Sequence, residues 1–258
     1  MVIDFLRNLR WYLRAIAHYR GSRMVTERII GKAPINELTL KNGIKFFAPD
    51  NSNLPVLTEE IFFDQDYCKY FTIRENDIVV DIGANIGVFT LFASTKTKNK
   101  IYAFEALRSN VDFLNKNIAV NNRKNIVSVE TAVCGRVGNA RLGISAISGG
   151  HYLCDVNTQK HCDAFVEVPA TTLAQIFTDY RIGYIDFLKI DCEGSEGAIF
   201  IATDDTYFQR IGKIALEFHD GLSLLNRHEL MKHLEKHGFK TRVRSFHDTA
   251  CGYIYAWR

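Results

Sequence analysis

The side chains best suited to chemistry in this chain follow the apolar runs that are predicted to be strands. Carboxylates, an imidazole and a glycine-bearing turn together could bind a polar ligand, hold a cation or transfer protons. In parallel α/β sheets the carboxyl ends of the strands meet at one crevice, so these groups are expected to converge there. In chain order they are Asp81, Gly83, Asn85, Ile86, Gly87, Glu105, Asp191, Glu193, Glu217 and His219.

The turn between Gly83 and Gly87 favours a nucleoside ligand without a pyrophosphate. Both glycines lack a Cβ atom, so the backbone can turn sharply and a ligand can approach it closely. A dinucleotide fingerprint requires G-x-G-x-x-G, but Asn85 and Val88 stand at the second and third glycine positions. Glu105 ends the next apolar run, where a carboxylate can accept both hydroxyls of an adenosine ribose. These observations favour S-adenosylmethionine, although Glu105 could equally be a solvated carboxylate at a strand end.

The chain resembles the FkbM-type family of S-adenosylmethionine-dependent methyltransferases in five segments: residues 77–90, 102–105, 117–122, 185–196 and 215–219. Residues 77–90 resemble the family's strand and glycine-bearing turn, and residues 185–196 resemble its K-I-D-x-E-G-x-E signature. Residues 215–219 resemble its short strand end with an acidic residue and a histidine. The segments occur in the family's order over most of the chain. The chain departs from the family after Glu105, where Ala106 replaces the usual proline.

The resemblance implies a fold, a cofactor and a set of binding residues. The implied fold is α/β, a Rossmann-like class I methyltransferase with a seven-stranded, mostly parallel sheet and an antiparallel last strand. The implied cofactor is S-adenosylmethionine, whose adenine would lie beside the end of the third strand. The implied binding residues are Asp81, Gly83, Asn85, Ile86, Gly87, Glu105, Ala106, Ala132, Asp191 and Glu193.

Asp191, Glu217 and His219 are the predicted catalytic residues. Methyl transfer is an in-line displacement, so much of the catalysis can come from holding the acceptor in line with the donor. An acceptor hydroxyl must also lose its proton, and a histidine or carboxylate within hydrogen-bond reach can take it. His219 is the predicted base. The alternative is a structural histidine held by a neighbouring carboxylate.

Two groups of residues raise the question of a metal ion. Asp191 resembles a metal-ligand position of some small-molecule O-methyltransferases, and with Glu217 it could offer oxygen ligands to a hard divalent cation. We favour the alternative, in which Asp191 and Glu193 bind the cofactor or the acceptor without a metal. The second group has residue types that suit zinc but no usual spacing, so an acceptor-facing flap is predicted there instead. Its members are His151, Cys154, His161 and Cys162.

The elements that must position these residues follow the strand–helix alternation of a doubly wound sheet. Residues 139–168 interrupt this alternation and are predicted to be an insertion with β character. Strands are predicted at 78–80, 101–104, 126–129, 185–190, 214–218, 241–244 and 252–257, and helices at 110–121, 173–179 and 230–237.

Residues 1–60 are predicted to be an extension to a core of residues 61–258. Within the extension, residues 38–46 alternate apolar and polar around Asn42-Gly43, which predicts a β-hairpin with a type I′ turn. Residues 3–17 combine an apolar stripe with several arginines, which predicts an amphipathic helix. This helix is expected to pack on the parent protein or on a second subunit, and peripheral contact with an anionic membrane is the alternative. The stripe consists of Ile3, Leu6, Leu13 and Ala17, widened by Phe5, Leu9, Tyr12 and Ile16.

Composition excludes several classes of protein. The net charge of +3 is too small to imply nucleic acid as the main partner. No apolar run reaches the length of about 18 residues that a membrane-spanning helix needs. The 6 cysteines include no C-x-x-C pair, and arginines interrupt every early apolar run that could form a secretory signal. The chain is therefore predicted to be cytoplasmic with reduced thiols, and a peripheral position at the inner membrane surface is the alternative.

The predicted function is O-methylation of a hydroxyl on a sugar, a glycolipid or a secondary metabolite, as the resemblance implies. The alternative is a degenerate methyltransferase-like module that keeps the pocket for binding or assembly. The enzyme is favoured because a decayed pocket should have lost some of its polar and glycine residues, whereas this chain retains Gly83, Gly87, Glu105, Asp191, Glu193 and Glu217. The expected partner is a small-molecule or glycan acceptor, and the apolar N-terminal stripe could also serve a homo-oligomer.

Overall fold

The computed structural model describes residues 13–21, 34–145, 150–154, 164–246 and 250–258. Its strands are β1 (Glu37–Thr39), β2 (Lys45–Phe47), β3 (Val79–Ile82), β4 (Ile101–Glu105), β5 (Ile126–Glu130), β6 (Ala132–Val133), β7 (Gly138–Gly143), β8 (Tyr152–Leu153), β9 (Phe165–Thr171), β10 (Ile185–Ile190), β11 (Ile211–His219), β12 (Lys240–Ser245) and β13 (Cys251–Trp257). Its α-helices are α1 (Leu54–Thr58), α2 (Val88–Ser94), α3 (Arg108–Val120), α4 (Leu173–Asp179), α5 (Glu196–Ile201), α6 (Asp205–Phe208) and α7 (Arg227–Lys236). A π-helix (Glu59–Phe63) and a 3₁₀ helix (Asp66–Cys68) follow α1.

Seven strands form the main sheet, in the spatial order β5-β4-β3-β10-β11-β13-β12. Strand β3 is central, with β4 parallel to it on one side and β10 parallel to it on the other. Strand β13, the last in the chain, lies antiparallel between β11 and β12. The connections run in opposite directions from β3, which opens a crevice at the carboxyl ends of β3 and its neighbours. The predicted seven-stranded, mostly parallel sheet is therefore confirmed.

The central strands form because their residues are apolar on both faces of the sheet. On one face Val79 and Phe187 pack in a cluster with Phe89 of α2. On the other face Val80 and Leu188 pack in a second cluster. Both sides of the sheet are thus covered, and polar residues of these strands are concentrated at the strand ends.

The predicted insertion contributes to a second, smaller sheet of four strands in the order β6-β9-β7-β8, in which β6 precedes the predicted bounds of 139–168. Strand β9 pairs parallel with β6 and antiparallel with β7. One face of this sheet is apolar and includes Leu142, Leu153 and Val168. The predicted β character is therefore confirmed, and Leu142 and Leu153 also reach the cavity described below.

Strands β1 and β2 form the predicted hairpin, but the turn type differs from the prediction. Gly43 has a φ of +93°, whereas Asn42 is not among the described residues with positive φ. The Gly43 N–H donates to the Leu40 carbonyl, and the Leu40 N–H donates to the Ile44 carbonyl. The loop therefore combines a type I turn with a glycine in the left-handed conformation, and the type I′ prediction was wrong. Asn-Gly fits both turns, because each needs a left-handed glycine at this position.

Asparagine side chains of α3 attach the hairpin to the main sheet. The Asn117 amide accepts a hydrogen bond from the Phe47 N–H at 2.7 Å and donates to the Phe47 carbonyl at 2.9 Å. One turn later, Asn121 makes the same pair of bonds with Lys45, at 2.9 and 2.7 Å. The two amides thus satisfy backbone groups at the edge of β2 that would otherwise need another strand.

The described part of the N-terminal helix packs on the protein through a different side from the predicted one. Residues 13–18 are helical. Ala15 and Tyr19 are buried in the core, whereas Leu13 and Ile16 of the predicted stripe are exposed. Residues 1–12 lie outside the described residues, and contact of the exposed side with a membrane or a second subunit stays a prediction. Within the described ranges, no helix has the length and apolarity to cross a membrane.

Arg14 and Tyr19 hold this helix against the segment that follows α1. The Arg14 guanidinium donates to the Glu59 carboxylate at 2.6 Å and pairs with Asp64 at 3.3 Å. The Tyr19 hydroxyl donates to Glu59 at 3.1 Å and contacts the Thr58 hydroxyl at 2.9 Å. Glu59 is buried, so its charge depends on these partners for stabilisation. The N-terminal helix therefore fixes the segment that carries residues 59–67.

Candidate active site

A cavity of about 460 Å³ lies at the carboxyl ends of β3, β4, β10 and β11. This volume is typical of sites for small molecules and cofactors. Its walls come from the main sheet, the smaller sheet and the segment that contains Leu57 and Glu60. The predicted site residues that line it are Gly83, Asn85, Glu105, Ala106, Ala132, Asp191, Glu193 and Glu217.

Gly83 allows the turn after β3 to touch the end of β10. Its φ is +76°, and a Cβ atom on this residue would lie 1.7 Å from the carbonyl oxygen of Asp191. Any side chain here would therefore push the two strand ends apart. Gly87 is similarly constrained, because its φ is +89° and a Cβ atom would lie 2.4 Å from Cδ1 of Leu114 on α3.

A buried lysine at the end of β10 supports this turn. The Lys189 ammonium donates to the Gly83 carbonyl at 2.7 Å and forms an ion pair with Asp81 at 3.1 Å. Asp81 also accepts a hydrogen bond from the Thr90 hydroxyl at 2.6 Å. Burial opposes the charge of Lys189, but Asp81 and Asp191 raise the pKa of Lys189 above its usual value. Asp81, which was predicted to bind the cofactor, is therefore enclosed in this network and does not line the cavity.

Ile86 and Gly87 also lie outside the cavity lining, although they were predicted to bind the cofactor. Ile86 is fully buried, and its carbonyl accepts a hydrogen bond from the Asn117 amide at 2.9 Å. Gly87 is the residue that precedes α2. Both residues therefore shape the turn from behind, and the residues that face the cavity are Gly83 and Asn85.

Glu105 ends β4 and lines the cavity, with 8% of its surface exposed. Its carboxylate accepts hydrogen bonds from the backbone N–H of Asn85 at 2.8 Å and of Leu107 at 2.9 Å. The Asn110 amide donates to it at 3.4 Å. Burial raises the pKa of Glu105, and these donors oppose that shift. A carboxylate has about four acceptor positions, so Glu105 can accept a further donor such as a ribose hydroxyl.

Two buried oxygen atoms of the cavity-lining residues have no hydrogen-bond partner in the described parts of the chain. They are Asn85 Oδ1 and Ser195 Oγ. Unpaired buried polar atoms are costly, so they mark places where a ligand can complete the site. S-adenosylmethionine carries ammonium and hydroxyl donors that could pair with them, and the small side chains of Ala106 and Ala132 leave space for its adenine. The residues present therefore fit this cofactor.

Four carboxyl groups make another part of the cavity acidic, and we call them the carboxylate cluster: Glu60, Asp191, Glu193 and Glu217. Burial and the charge of Asp191 raise the pKa of Glu217 to about 9. Burial and the charge of Asp66 raise the pKa of Glu60 to about 7. Protons, hydrogen-bond donors or a cation relieve such crowding of negative charge. The cluster is therefore suited to a hydroxyl-bearing or positively charged ligand.

Tyr67, on the 3₁₀ helix, reaches the carboxylate cluster from the N-terminal side of the chain. Its hydroxyl lies 2.9 Å from Asp191 Oδ2 and 3.4 Å from Glu217 Oε2, and it donates to these carboxylates. Its ring packs edge-to-face against Phe89 and Tyr253. Burial raises the pKa of Tyr67, so the hydroxyl keeps its proton as a donor. This contact joins the 3₁₀ helix to the ends of β10 and β11.

His219 does not have the environment of a base. It is 5% exposed and does not line the cavity. Its Nδ1 lies 3.1 Å from Glu196 Oε1, and its Nε2 lies 3.6 Å from Glu193. Burial lowers the pKa of His219, but Glu196 and Glu193 outweigh this effect and raise the pKa to about 10. The imidazole therefore already carries its proton at neutral pH, which corrects the prediction of His219 as the base and supports the alternative of a histidine held by a carboxylate.

The residues whose types suit zinc do not form a zinc site among the described residues. His161 and Cys162 lie outside those residues. Cys154 is disulfide-bonded, so its sulfur is not a thiolate ligand, and the expectation of reduced thiols was wrong at this position. His151 lines the cavity, and its Nδ1 accepts a hydrogen bond from the Ser145 N–H at 3.0 Å.

Four residues of this site were missed by sequence reasoning. Lys189 had a signal, because it is a lysine inside a mostly apolar strand. Glu196 also had one, because it is the last residue of the K-I-D-x-E-G-x-E segment. Glu60 and Tyr67 had no local signal, since only the packing of the segment after α1 brings them to the carboxylate cluster.

The order of the strands, the glycine-bearing turn after β3 and the carboxylate at the end of β4 define the Rossmann-like class I methyltransferases. Comparison with known proteins makes the assignment more specific. Residues 81–253 match the family model of the methyltransferase FkbM domain. The chain therefore belongs to the FkbM family of S-adenosylmethionine-dependent methyltransferases.

Relatives and a solved structure agree with this assignment. The 31-O-demethyl-FK506 methyltransferase FkbM of Streptomyces tacrolimicus is 28% identical, over 80% of this chain and 89% of the relative. Methyltransferase sdnD of Sordaria araneosa is 24% identical, over 81% of this chain and 91% of the relative. The crystal structure of methyltransferase FkbM from Methylobacillus flagellatus KT superposes with a TM-score of 0.53 and 14% identity, over 73% of this chain and 45% of that chain. This superposition shows that the fold is shared.

Proposed function

We propose that this protein transfers the methyl group of S-adenosylmethionine to a hydroxyl oxygen of a small-molecule or glycan acceptor. Sugars, glycolipids and secondary metabolites are the acceptor classes that fit this proposal. One observation carries it: a single cavity joins Glu105 and the orphaned Asn85 oxygen to the carboxylate cluster. A cofactor held at the first part of this cavity would present its reactive group near the second.

The chemistry requires an electrophile, an acceptor oxygen and a destination for one proton. When bound, S-adenosylmethionine supplies a methyl group on a positively charged sulfur; the acceptor oxygen forms the new C–O bond, and the sulfur keeps the electron pair of the broken C–S bond. Asp191 would hold the acceptor hydroxyl and take its proton. The cluster's excess of carboxyl groups favours positive charge at this end of the cavity.

The protonation states divide the roles within the cluster. Because the pKa of Glu217 is raised to about 9, this carboxyl group holds a proton at neutral pH and can donate a hydrogen bond to the acceptor. Asp191 accepts the hydrogen bond from Tyr67, which fixes its orientation. The S. tacrolimicus relative is named as acting on 31-O-demethyl-FK506, and this name supports an oxygen as the methyl acceptor.

The cofactor part of the proposal is tested by calorimetric titration with S-adenosylhomocysteine. Glu105→Gln replaces an acceptor by an amide and should weaken binding by about tenfold or more. Glu130→Gln is the matched control, because Glu130 ends the neighbouring strand β5 but does not line the cavity. Equal affinities of the two variants would contradict the role of Glu105.

The acceptor part is tested by incubating the protein with S-adenosylmethionine carrying an isotope-labelled methyl group and a panel of glycosides, glycolipids, macrolides and amines. We expect an O-methyl product, and Asp191→Asn should lower its rate by about 10²–10⁴-fold while cofactor binding is kept. Asp112→Asn, which changes an exposed carboxylate on α3, is the control. An N-methyl product would contradict the proposal, and cofactor binding without transfer to any acceptor would favour the non-enzymatic alternative.

A further inference from the structure

Three residues at the carboxyl ends of β10 and β11 bring different kinds of metal ligand to one point. Asp191, Glu193 and His219 each offer one ligand atom, and these atoms all lie within 4.8 Å of one another. Ligands bound at about 2.0–2.2 Å to one ion are about 3–4 Å apart. Small rotations of the side chains would therefore be enough to place all three around a common ion.

The second ring nitrogen of His219, Nε2, adds a nitrogen ligand to the two carboxylates of this group. Nε2 lies 3.6 Å from Glu193 and 3.9 Å from Glu217, and both distances exceed that of a hydrogen bond. The side chain is nine-tenths buried, and no described residue forms a hydrogen bond to Nε2. The nitrogen thus lies close to two carboxyl groups without being hydrogen-bonded to either.

A buried carboxylate fixes the orientation of this imidazole. Glu196 is 0% exposed, and its Oε1 lies 3.1 Å from His219 Nδ1. The same oxygen accepts a hydrogen bond from the Gly194 N–H at 3.1 Å. A histidine that donates its Nδ1 proton to a carboxylate can present the Nε2 lone pair to a metal, and metal-binding histidines commonly have such a partner. Because the imidazole of His219 carries its proton at neutral pH, a metal ion would bind with release of the Nε2 proton.

We propose that Asp191, Glu193 and His219 bind one divalent first-row transition-metal ion. One imidazole nitrogen and two carboxylate oxygens form a softer ligand set than the oxygen-only sites that Mg²⁺ and Ca²⁺ prefer. The proposed site therefore differs from the hard-cation site of Asp191 and Glu217 that the sequence suggested, because it depends on His219.

The surrounding charges are compatible with a dication. Two carboxylate ligands would balance its charge, and the carboxyl group of Glu217, 3.9 Å from His219 Nε2, offers a further oxygen atom beside the ion. Lys189 lies 3.7 Å from Asp191, but its ammonium is already paired with Asp81 at 3.1 Å. The Lys189 ammonium therefore has its own partner in Asp81.

The direct test is a titration of the chelator-treated full chain with Mn²⁺ alone, followed by electron paramagnetic resonance. We expect one Mn²⁺ per chain, with a nitrogen hyperfine coupling from the imidazole of His219. Because a first-row transition-metal ion such as Mn²⁺ binds an imidazole nitrogen more strongly than Ca²⁺ does, about a hundredfold excess of Ca²⁺ should not displace the Mn²⁺.

Variants separate coordination from general attraction to negative charge. His219→Gln should abolish the nitrogen coupling, and Glu193→Gln should weaken Mn²⁺ binding by about tenfold or more. Glu196→Gln should weaken it by about 10–100-fold, as expected when the partner of a ligating histidine is changed. Glu105→Gln is the matched control, because it removes a carboxylate from the same cavity and should change the affinity by less than about threefold.

Three results would overturn the proposal: no binding at millimolar Mn²⁺, equal displacement by Ca²⁺, or a nitrogen coupling that persists in His219→Gln. If His219→Gln does not fold, Glu193→Gln and the Ca²⁺ competition still decide the matter. The experiment contains neither cofactor nor acceptor, so its failure would be distinct from failure of the proposed methyl transfer.

Discussion

Tyr67 shows how one hydroxyl can organise several acidic groups. It is the donor that the structure places between Asp191 and Glu217, and its ring is held by Phe89 and Tyr253. Without this donor the two carboxyl groups would face each other in a partly buried setting, where unpaired polar groups are costly. Tyr67 is therefore a positioning residue for the proposed acceptor site.

Tyr67→Phe should lower kcat for methyl transfer by about tenfold, with little change in KM, because the ring contacts remain and only the hydrogen bonds are lost. The free energy of unfolding should change by less than about 2 kcal/mol. Tyr70→Phe is the control, since Tyr70 is half exposed and packs on Tyr255 and Trp257. Steady-state kinetics on an acceptor from the labelled-methyl screen and urea unfolding would measure both effects, and a raised KM with unchanged kcat would contradict the positioning role.

Glu60 makes the stability of the protein depend on pH in a defined direction. Burial and nearby acids raise the pKa of Glu60 from 4.5 to about 7 in the folded state. Because protonated Glu60 is favoured in the folded state, it contributes stability at pH values below about 4.5, the pKa of this group in the unfolded chain. This contribution is lost as the pH rises through about 7, the pKa in the folded state. The glutamine variant has no proton to lose, so it should not show this decline.

Glu60→Gln should therefore gain stability over the wild type by on the order of 1 kcal/mol between about pH 5 and about pH 8, a value reduced for partial solvent screening. Urea unfolding at both pH values would measure the difference. Asp112→Asn, at an exposed position on α3, serves as the control. A difference between Glu60→Gln and wild type that is constant with pH would show that Glu60 is not the responsible group.

At the scale of elements, α3 connects the hairpin to the cofactor turn. Asn117 binds both backbone groups of Phe47 and also donates to the carbonyl of Ile86 in the turn after β3. Asn121 binds both backbone groups of Lys45 but does not reach the turn. Both asparagines therefore attach the hairpin to α3, and only Asn117 also supports the turn after β3, so comparing their variants separates the two effects.

Asn117→Ala and Asn121→Ala should each lower the free energy of unfolding by about 1–4 kcal/mol, because buried backbone groups lose their partners. Only Asn117→Ala should also weaken S-adenosylhomocysteine binding, by about three- to tenfold, since the carbonyl of Ile86 loses its donor. Chemical unfolding and calorimetry on the same preparations would test this. Equal effects of the two variants on affinity would show that the turn does not depend on α3.

The strands and helices of the core could be predicted because local patterns determine them. The runs at 185–190 and 173–179 have the observed bounds of β10 and α4, since apolar continuity and helical spacing are local properties. The turn at Asn42-Gly43 was recognised but its type was not, because one left-handed glycine satisfies two turn geometries. The predictions of Asp81 as a cofactor-binding residue and His219 as the base differ from the structure for another reason. Burial and charge partners depend on the assembled fold, which no local pattern contains.

At the scale of the whole molecule, the N-terminal extension and the main sheet share one hydrophobic core. A single cluster of buried residues includes Tyr19, Phe46 of the hairpin, Phe89 of α2 and Tyr253 of β13. Removing the extension would expose this apolar surface, which is unfavourable in proportion to its area. The extension is therefore part of the folded unit that builds the site.

We expect the hairpin and the main sheet to unfold together. In native-state hydrogen exchange, the amides of Lys45 and Phe47 should open with the same free energy as those of β3, within about 1 kcal/mol. The bonds from Asn121 and Asn117 supply the physical reason, because these amides are protected only while α3 is in place. If the hairpin amides instead exchange through local openings whose free energy does not depend on denaturant, the extension opens independently of the main sheet.

The close contact at Gly83 has a practical consequence for anyone who wishes to retarget this catalyst. Backbone touches backbone where Gly83 meets Asp191, so this side offers no side chain to vary without displacing the strand ends. The wall that contains Leu57, Leu142 and Leu153 is built from side chains on separate elements, and its shape can be rebuilt one residue at a time. A mutant library for new acceptors should therefore randomise that wall and keep the glycine turn constant.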